Sequence, residues 1–160
     1  NQYLQKIIDV SIKNKRHLQN HYNITIKSLY FIKQTLNFTF SKRTGKIKHV
    51  MMDDKIIATL RTDGGFAITL DGARFLLESN KVKENCIIIK KEVVDFIKSG
   101  RSVFCKHVIS CGRNIEVESD AIILDDNDRL VAVGKAILPY SMIIVFKRGA
   151  AVRVRHSIND

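Results

Sequence analysis

Apolar and polar positions change period along the chain. Over residues 2–20, Leu4, Ile7, Ile8 and Ile12 fall on one helical face, beside a face carrying Lys, Arg and His, which predicts an amphipathic helix. Thr25 can cap a second helix running to about Gln34, with Leu29, Ile32 and Leu36 along it. From Phe38 onward the period becomes two. Short β-type runs over 46–51, 55–60 and 66–70 are separated by Thr44-Gly45, Asp53-Asp54 and Asp63-Gly64-Gly65, residues suited to turns, so this stretch is expected to form an antiparallel meander. Residues 71–77 then open a short helix that Thr69 or Asp71 can cap.

A polar stretch over 78–85 marks the expected domain boundary, giving domains 1–80 and 81–160. Beyond it, 86–89 is a buried strand and 91–98 a helix with Val94, Phe96 and Ile97 apolar and Ser99-Gly100 as its stop. A second strand is expected over 102–109. Further strands follow over 120–124, 130–138 and 150–156, the first two joined by the acidic turn Asp125-Asp126-Asn127-Asp128. Strands apolar on both faces with one short helix suggest a small closed barrel, because closure removes exposed edges. The class is therefore α+β: a helix plus antiparallel sheet, then a barrel with one or two short helices. No internal repeat or low-complexity segment interrupts it.

Charge changes this picture more than composition does. With 160 residues, 45% apolar and 27% charged, the chain is long enough for one large or two small folded domains. Its 27 Lys and Arg against 16 Asp and Glu give a formal charge of +11, a field that attracts polyanions, nucleic acid first among them. Both halves are basic, with 13 cationic against 6 anionic residues over 1–80 and 14 against 10 over 81–160. Cys86, Cys105 and Cys111 form no C-x-x-C pair, which fits reduced thiols in a cytosol. No signal-peptide core and no apolar run of about 18 residues occurs, so a soluble, cytoplasmic protein is expected, without membrane contact.

Three stretches of the second half carry a family pattern: "CIIIKKEVVDFIKSGRSVFCKHV", "IEVESDAIILDDNDRLVAVGKAIL" and "FKRGAAVRVR". In order and spacing they resemble the strand, helix and glycine loop, the hairpin ending in V-G-K-A, and the final R-G-x-A-V strand of the PUA domain, an RNA-binding module. Where that family usually has Gly-Asp before its central strand, this chain has Ser119-Asp120. The preceding segment over 41–77, through T-G-K-I, A-T-L-R, D-G-x-F and G-A-R, resembles the region ahead of the PUA domain in archaeal tRNA-guanine transglycosylases. Similar two-module proteins occur among translation factors. The resemblance implies binding of tRNA or ribosomal RNA, with an RNA-modification enzyme or the ribosome as further partner.

The residues supply their own reasons. If 150–156 is a strand, Val152, Val154 and His156 face one way and Arg153 and Arg155 the other, about 7 Å apart, a spacing suited to successive phosphates. Arginine's planar fork fits phosphate and stacks on bases; the alternative is two solvated arginines pairing with Asp125 or Asp128. Ser99, Gly100 and Arg101 form a loop whose backbone N–H groups could approach a phosphate, although Ser-Gly is more commonly a helix cap. Lys106 on the adjacent strand would extend the patch, and His107 reads as structural. Basic residues over 42–49 form a solvated or RNA-facing hairpin.

Catalytic and metal readings fare poorly. Cys105-x-His107-x3-Cys111 leaves only Cys86 as a fourth zinc ligand, and buried reduced thiols explain the same letters. Thr44-Gly45-Lys46 lacks the upstream glycine of a phosphate loop, and no G-x-S-x-G or H-E-x-x-H occurs. The expectation is a non-enzymatic RNA-binding protein, without cofactor or metal, acting as a stand-alone accessory in tRNA modification or translation. Its expected contact set is Ser99, Gly100, Arg101, Lys106, Arg153 and Arg155. The alternative is a non-catalytic docking subunit of an RNA-modification enzyme, working through the stripe Leu4, Ile7, Ile8 and Ile12.

Overall fold

A computed structural model describes residues 36–61, 66–78 and 82–158. The helices expected over 2–20 and from Thr25, and the Asp63-Gly64-Gly65 turn, lie outside the described residues. The chain divides into two compact units, residues 1–67 and 68–160.

In the first unit the meander is present. Strands β1 (Leu36–Phe40), β2 (Ile47–Met52), β3 (Lys55–Leu60) and β4 (Phe66–Ile68) form a sheet in the order β1-β2-β3-β4. The β2–β3 hairpin closes through Asp53 and Asp54, both at positive φ (47° and 63°), as a two-residue hairpin whose twist matches its strands requires. Aspartate tolerates that region better than most side chains. Val50, Ile57, Ala58 and Phe66 are buried.

In the second unit, Thr69 caps helix α1 (Leu70–Glu78): its Oγ1 accepts a hydrogen bond from the Gly72 N–H at 3.1 Å. Strand β5 (Cys86–Ile89) leads through a 3-10 turn (Lys91–Val93) into the short helix α2 (Val94–Lys98). Strands β6 (Val103–Phe104), β7 (Val108–Cys111), β8 (Asp120–Leu124), β9 (Leu130–Ala136) and β10 (Ala150–Ser157) complete a six-stranded sheet, with helix α3 (Tyr140–Ile143) before β10. The order is β6-β10-β9-β8-β5-β7, antiparallel except where β5 runs parallel to β8, and the sheet curls into a nearly closed barrel.

The strand expected over 102–109 is a finding against straight periodicity. It splits into β6, which pairs with β10, and β7, which pairs with β5, around a 3-10 turn at Cys105–His107. β6 and β7 are the two ends of the sheet order, so one straight strand could not hydrogen-bond to both neighbours; the corner carries the chain between them. Cys105 turns into the core and Lys106 outward. The barrel is filled by Ile87, Ile89, Val103, Ile123, Val131 and Val152, each such burial contributing about 1.5–3 kcal/mol. All five residues of β8 are buried, as expected of a strand covered on both faces.

Gly134, the glycine of V-G-K-A, sits where a side chain cannot. A Cβ there would lie 2.5 Å from the Arg153 carbonyl oxygen and 2.7 Å from Val152 Cγ1. This close approach accompanies a β-bulge: Val154 pairs with Gly134 and His156 with Val133, leaving Arg155 as the extra residue.

Candidate nucleic-acid interface

Ser99, Gly100 and Arg101 end α2 as a closed cap. The Ser99 N–H donates to the Asp95 carbonyl (3.0 Å), the Gly100 N–H to Ile97 (2.9 Å) and the Arg101 N–H to Phe96 (3.2 Å), while Ser99 Oγ donates to Phe96 at 2.7 Å. Gly100 adopts φ 84°, the left-handed conformation that favours glycine at a helix end. The loop N–H groups expected to reach a phosphate are therefore engaged by the helix. What the loop offers outward is the exposed Arg101 guanidinium and the open space over Gly100, where a Cβ would meet nothing within 4 Å.

The β6–β10 ribbon brings most of the expected residues together. Val103 pairs with Val152 and Phe104 with Ala150, and the Cys105 N–H donates to the Gly149 carbonyl at 3.0 Å. This antiparallel register carries Arg101 to the same end of the ribbon as Arg153, and Lys106 to the end that holds Lys147 and Arg148. The two ends, Arg148 and Arg153, are five residues apart in sequence. Arg101, Lys106, Lys147, Arg148 and Arg153 are all exposed. None of the five has an ion-pair or hydrogen-bond partner for its side chain among the described residues, whereas Arg74, Arg129, Lys135 and Arg155 are paired with Asp71, Asp125, Glu118 and Asp120. Lys147 and Arg148 were absent from the expected contact set. Their signal was the K-R immediately before Gly149, whose φ of 93° turns the chain into β10.

Arg155 departs from its neighbour. Strict alternation put it beside Arg153, but the bulge redirects it and leaves its side chain only 23% exposed. Nη1 donates to Asp120 Oδ1 at 2.7 Å and Nη2 to the Ile68 carbonyl at 3.3 Å, while the Ile68 N–H donates to Asp120 Oδ2 at 2.6 Å. The acidic partner is Asp120 of the Ser-Asp pair, not Asp125 or Asp128. Asp125 instead organises its own turn, accepting from the N–H groups of Asn127 and Arg129, both at 2.9 Å, and from Arg129 Nε at 2.8 Å.

His107 Nδ1 is buried without a partner among the described residues; burial first, then the charges of Lys106 and Lys90, against Glu92, hold its pKa below the ordinary value. Burial pushes the Cys86 thiol up to about 12, helped by Asp128 and opposed by Lys83, and the Cys111 thiol to about 11, helped by Cys105. Such thiols are poor nucleophiles and poor ligands. Among the described residues no three His, Cys, Asp or Glu side chains gather as a metal ion would need, and no helix is long and apolar enough to cross a membrane. In the first unit Lys42, Arg43, Lys46 and Lys48 are exposed, a second basic surface.

Residues 85–158 match the PUA domain family, over the same strands, glycine loop and final R-G-A-A-V described above. This stretch is a PUA domain. Ahead of its PUA domain, residues 26–82 match the patch-forming domain C2 of tRNA-guanine transglycosylase. The tRNA-guanine(15) transglycosylase of Methanobrevibacter smithii is 33% identical over 116 residues, 72% of this chain and 18% of that protein. That of Methanococcus vannielii is 29% identical over 152 residues, 94% of this chain and 23% of that protein. The chain thus spans about a fifth of the length of these relatives. A hypothetical protein from Pyrococcus horikoshii superposes with a TM-score of 0.62 at 18% identity, over 82% of this chain and 83% of its own. A conserved PUA domain protein from Thermoplasma acidophilum does so with 0.56 at 19% identity, over 70% of each chain. The chain thus carries a C2 domain followed by a PUA domain.

Proposed function

We propose that this PUA-domain protein binds structured RNA, tRNA above all, as a non-catalytic accessory to tRNA modification or translation. The observation that carries the reading is the basic ribbon: Arg101, Arg153 and Lys106, joined by Lys147 and Arg148, are exposed along β6–β10 with no partner among the described residues. Cations that neutralise no carboxylate of their own are available to release counterions from a phosphate backbone. Side chains cannot read the deep major groove of an A-form stem, so recognition by phosphate position and shape fits a row of arginines and lysines. Ser99 and Gly100 form the low wall beside this row, where the missing Cβ leaves the surface open. Arg155 serves from behind, holding β10 through Asp120. The name of the curated relatives favours tRNA as the polyanion.

The test is a fluorescence-anisotropy titration of tRNA and of an unrelated single-stranded RNA at about 50, 100 and 200 mM salt. The native chain should prefer tRNA. Arg153→Ala should weaken binding and reduce the log–log salt slope by about one unit, and the triple change at Arg101, Lys106 and Arg153 by about three. An unchanged slope in the triple variant would show these side chains to be a solvated face.

A further inference from the structure

Beside the basic ribbon lies an apolar ledge that RNA binding does not account for. Ile109 of β7 and the segment after α3, Ile144-Val145-Phe146, are exposed by 55%, 54%, 68% and 46%. They line one groove of about 250 Å³, together with Lys106 and Lys147. Four large apolar side chains gathered around a single groove are not the scattered exposure normal for a protein surface.

We propose that this groove docks a segment of a partner protein that presents a bulky apolar side chain between carboxylates. The chemistry of the lining selects the occupant. Unpaired bases gain most from stacking on aromatic or guanidinium faces, and Ile109, Ile144 and Val145 offer neither a π-face nor a hydrogen bond, so three of the four apolar side chains gain little from a nucleotide. An aliphatic or aromatic side chain entering the groove would remove them from water directly. Lys106 and Lys147 have no acidic partner among the described residues, so carboxylates flanking the inserted residue complete the charge pattern. A second copy of the chain is disfavoured: a two-fold contact through this face would set Lys106 and Lys147 against their own counterparts. Lys106 belongs both to this groove and to the basic ribbon, so the docked segment and the RNA would meet along one rim.

The test uses the full chain, immobilised and panned against phage-displayed random peptides, with the double variant Ile144→Ser/Val145→Ser in parallel. Both residues are exposed, so the variant should keep the native melting transition. The native chain should enrich peptides in which Leu, Ile or Phe lies between Asp or Glu. A labelled synthetic copy of the enriched sequence should lose at least about tenfold affinity on the double variant and on replacing its own Asp and Glu by amides. Binding of tRNA should not change in the double variant, which separates this surface from the RNA reading. Failure to enrich such peptides, or peptide binding unaffected by the double variant, overturns the proposal. Loss of tRNA affinity in the double variant at unchanged stability also overturns it and assigns the ledge to RNA.

Discussion

Replacing Arg155 by Met separates a cation that builds the fold from Arg153, the one proposed to face RNA. Asp120 has a side chain only 1% exposed and faces the Arg155 guanidinium at 2.7 Å; Met keeps the stem but removes the charge. Breaking a buried ion pair from one side costs about 3–5 kcal/mol because the other charge stays buried without compensation. Arg155 retains 23% exposure, and water reaching that rim places the expected loss near the lower end, about 3 kcal/mol. With an m-value of roughly 1–2 kcal/mol per molar urea, the unfolding midpoint should fall by roughly 1.5–3 M, followed by far-ultraviolet circular dichroism. Arg153→Ala, at an exposed site without a described partner, should stay within about 0.5 kcal/mol of native. Adding Asp120→Asn to Arg155→Met should restore part of the loss, with a coupling of about 1.5–3 kcal/mol, since no bare carboxylate then remains. If Arg155→Met unfolds like the native protein and instead reduces the salt slope of tRNA binding as Arg153→Ala does, the clamp reasoning is refuted.

Three other outcomes follow from named contacts. Gly134→Ala forces a Cβ against the Arg153 carbonyl, backbone that cannot swing aside, and should cost about 3 kcal/mol in the same urea assay. Burial alone would raise the Asp125 pKa, but hydrogen bonds from the Arg129 backbone and side chain and the Asn127 N–H, with the Arg129 charge, outweigh it and hold it below its ordinary 3.8. A carboxyl depressed in the folded state adds stability above the unfolded value and loses it as pH falls through the folded one, so the deficit of Asp125→Asn should be full at neutral pH and shrink below about pH 4. With burial raising all three thiols, Cys86 to about 12 and Cys111 to about 11, Ellman's reagent at neutral pH should react slowly with the native chain and rapidly once urea unfolds it.

Local chemistry was legible wherever a residue's role depends on its immediate neighbours. Asp53-Asp54 closes a tight hairpin, Thr69 caps α1, Ser99-Gly100 ends α2 and Asp125 folds its own turn, each within four residues of its partners. Apolar runs bounded by turn residues placed β2, β3, β5, β8 and β10 to within about two residues, because a short buried strand between turns is written into neighbouring side chains. Strands apolar on both faces suggested the barrel, and the family pattern carried the same expectation that these strands close on one another.

Tertiary structure decided the rest, because closing a sheet adds constraints that act across long stretches of chain. The barrel corner broke the run 102–109 into two strands on opposite sheet edges, which apolar periodicity could not register. The close approach of β9 and β10 at Gly134 accompanies a bulge, and a bulge reverses the facing of every later residue on its strand. Arg153 and Arg155, alike in sequence, thereby part company: one stays in solvent, and the other reaches Asp120, 35 positions away. Lys147 and Arg148 join the basic row only because Gly149 pairs with Cys105 across β6. Composition and patterning established that the chain is a polycation of strands and helices; which cations are free to meet a polyanion depended on which carboxylates the folded barrel had already brought to the others.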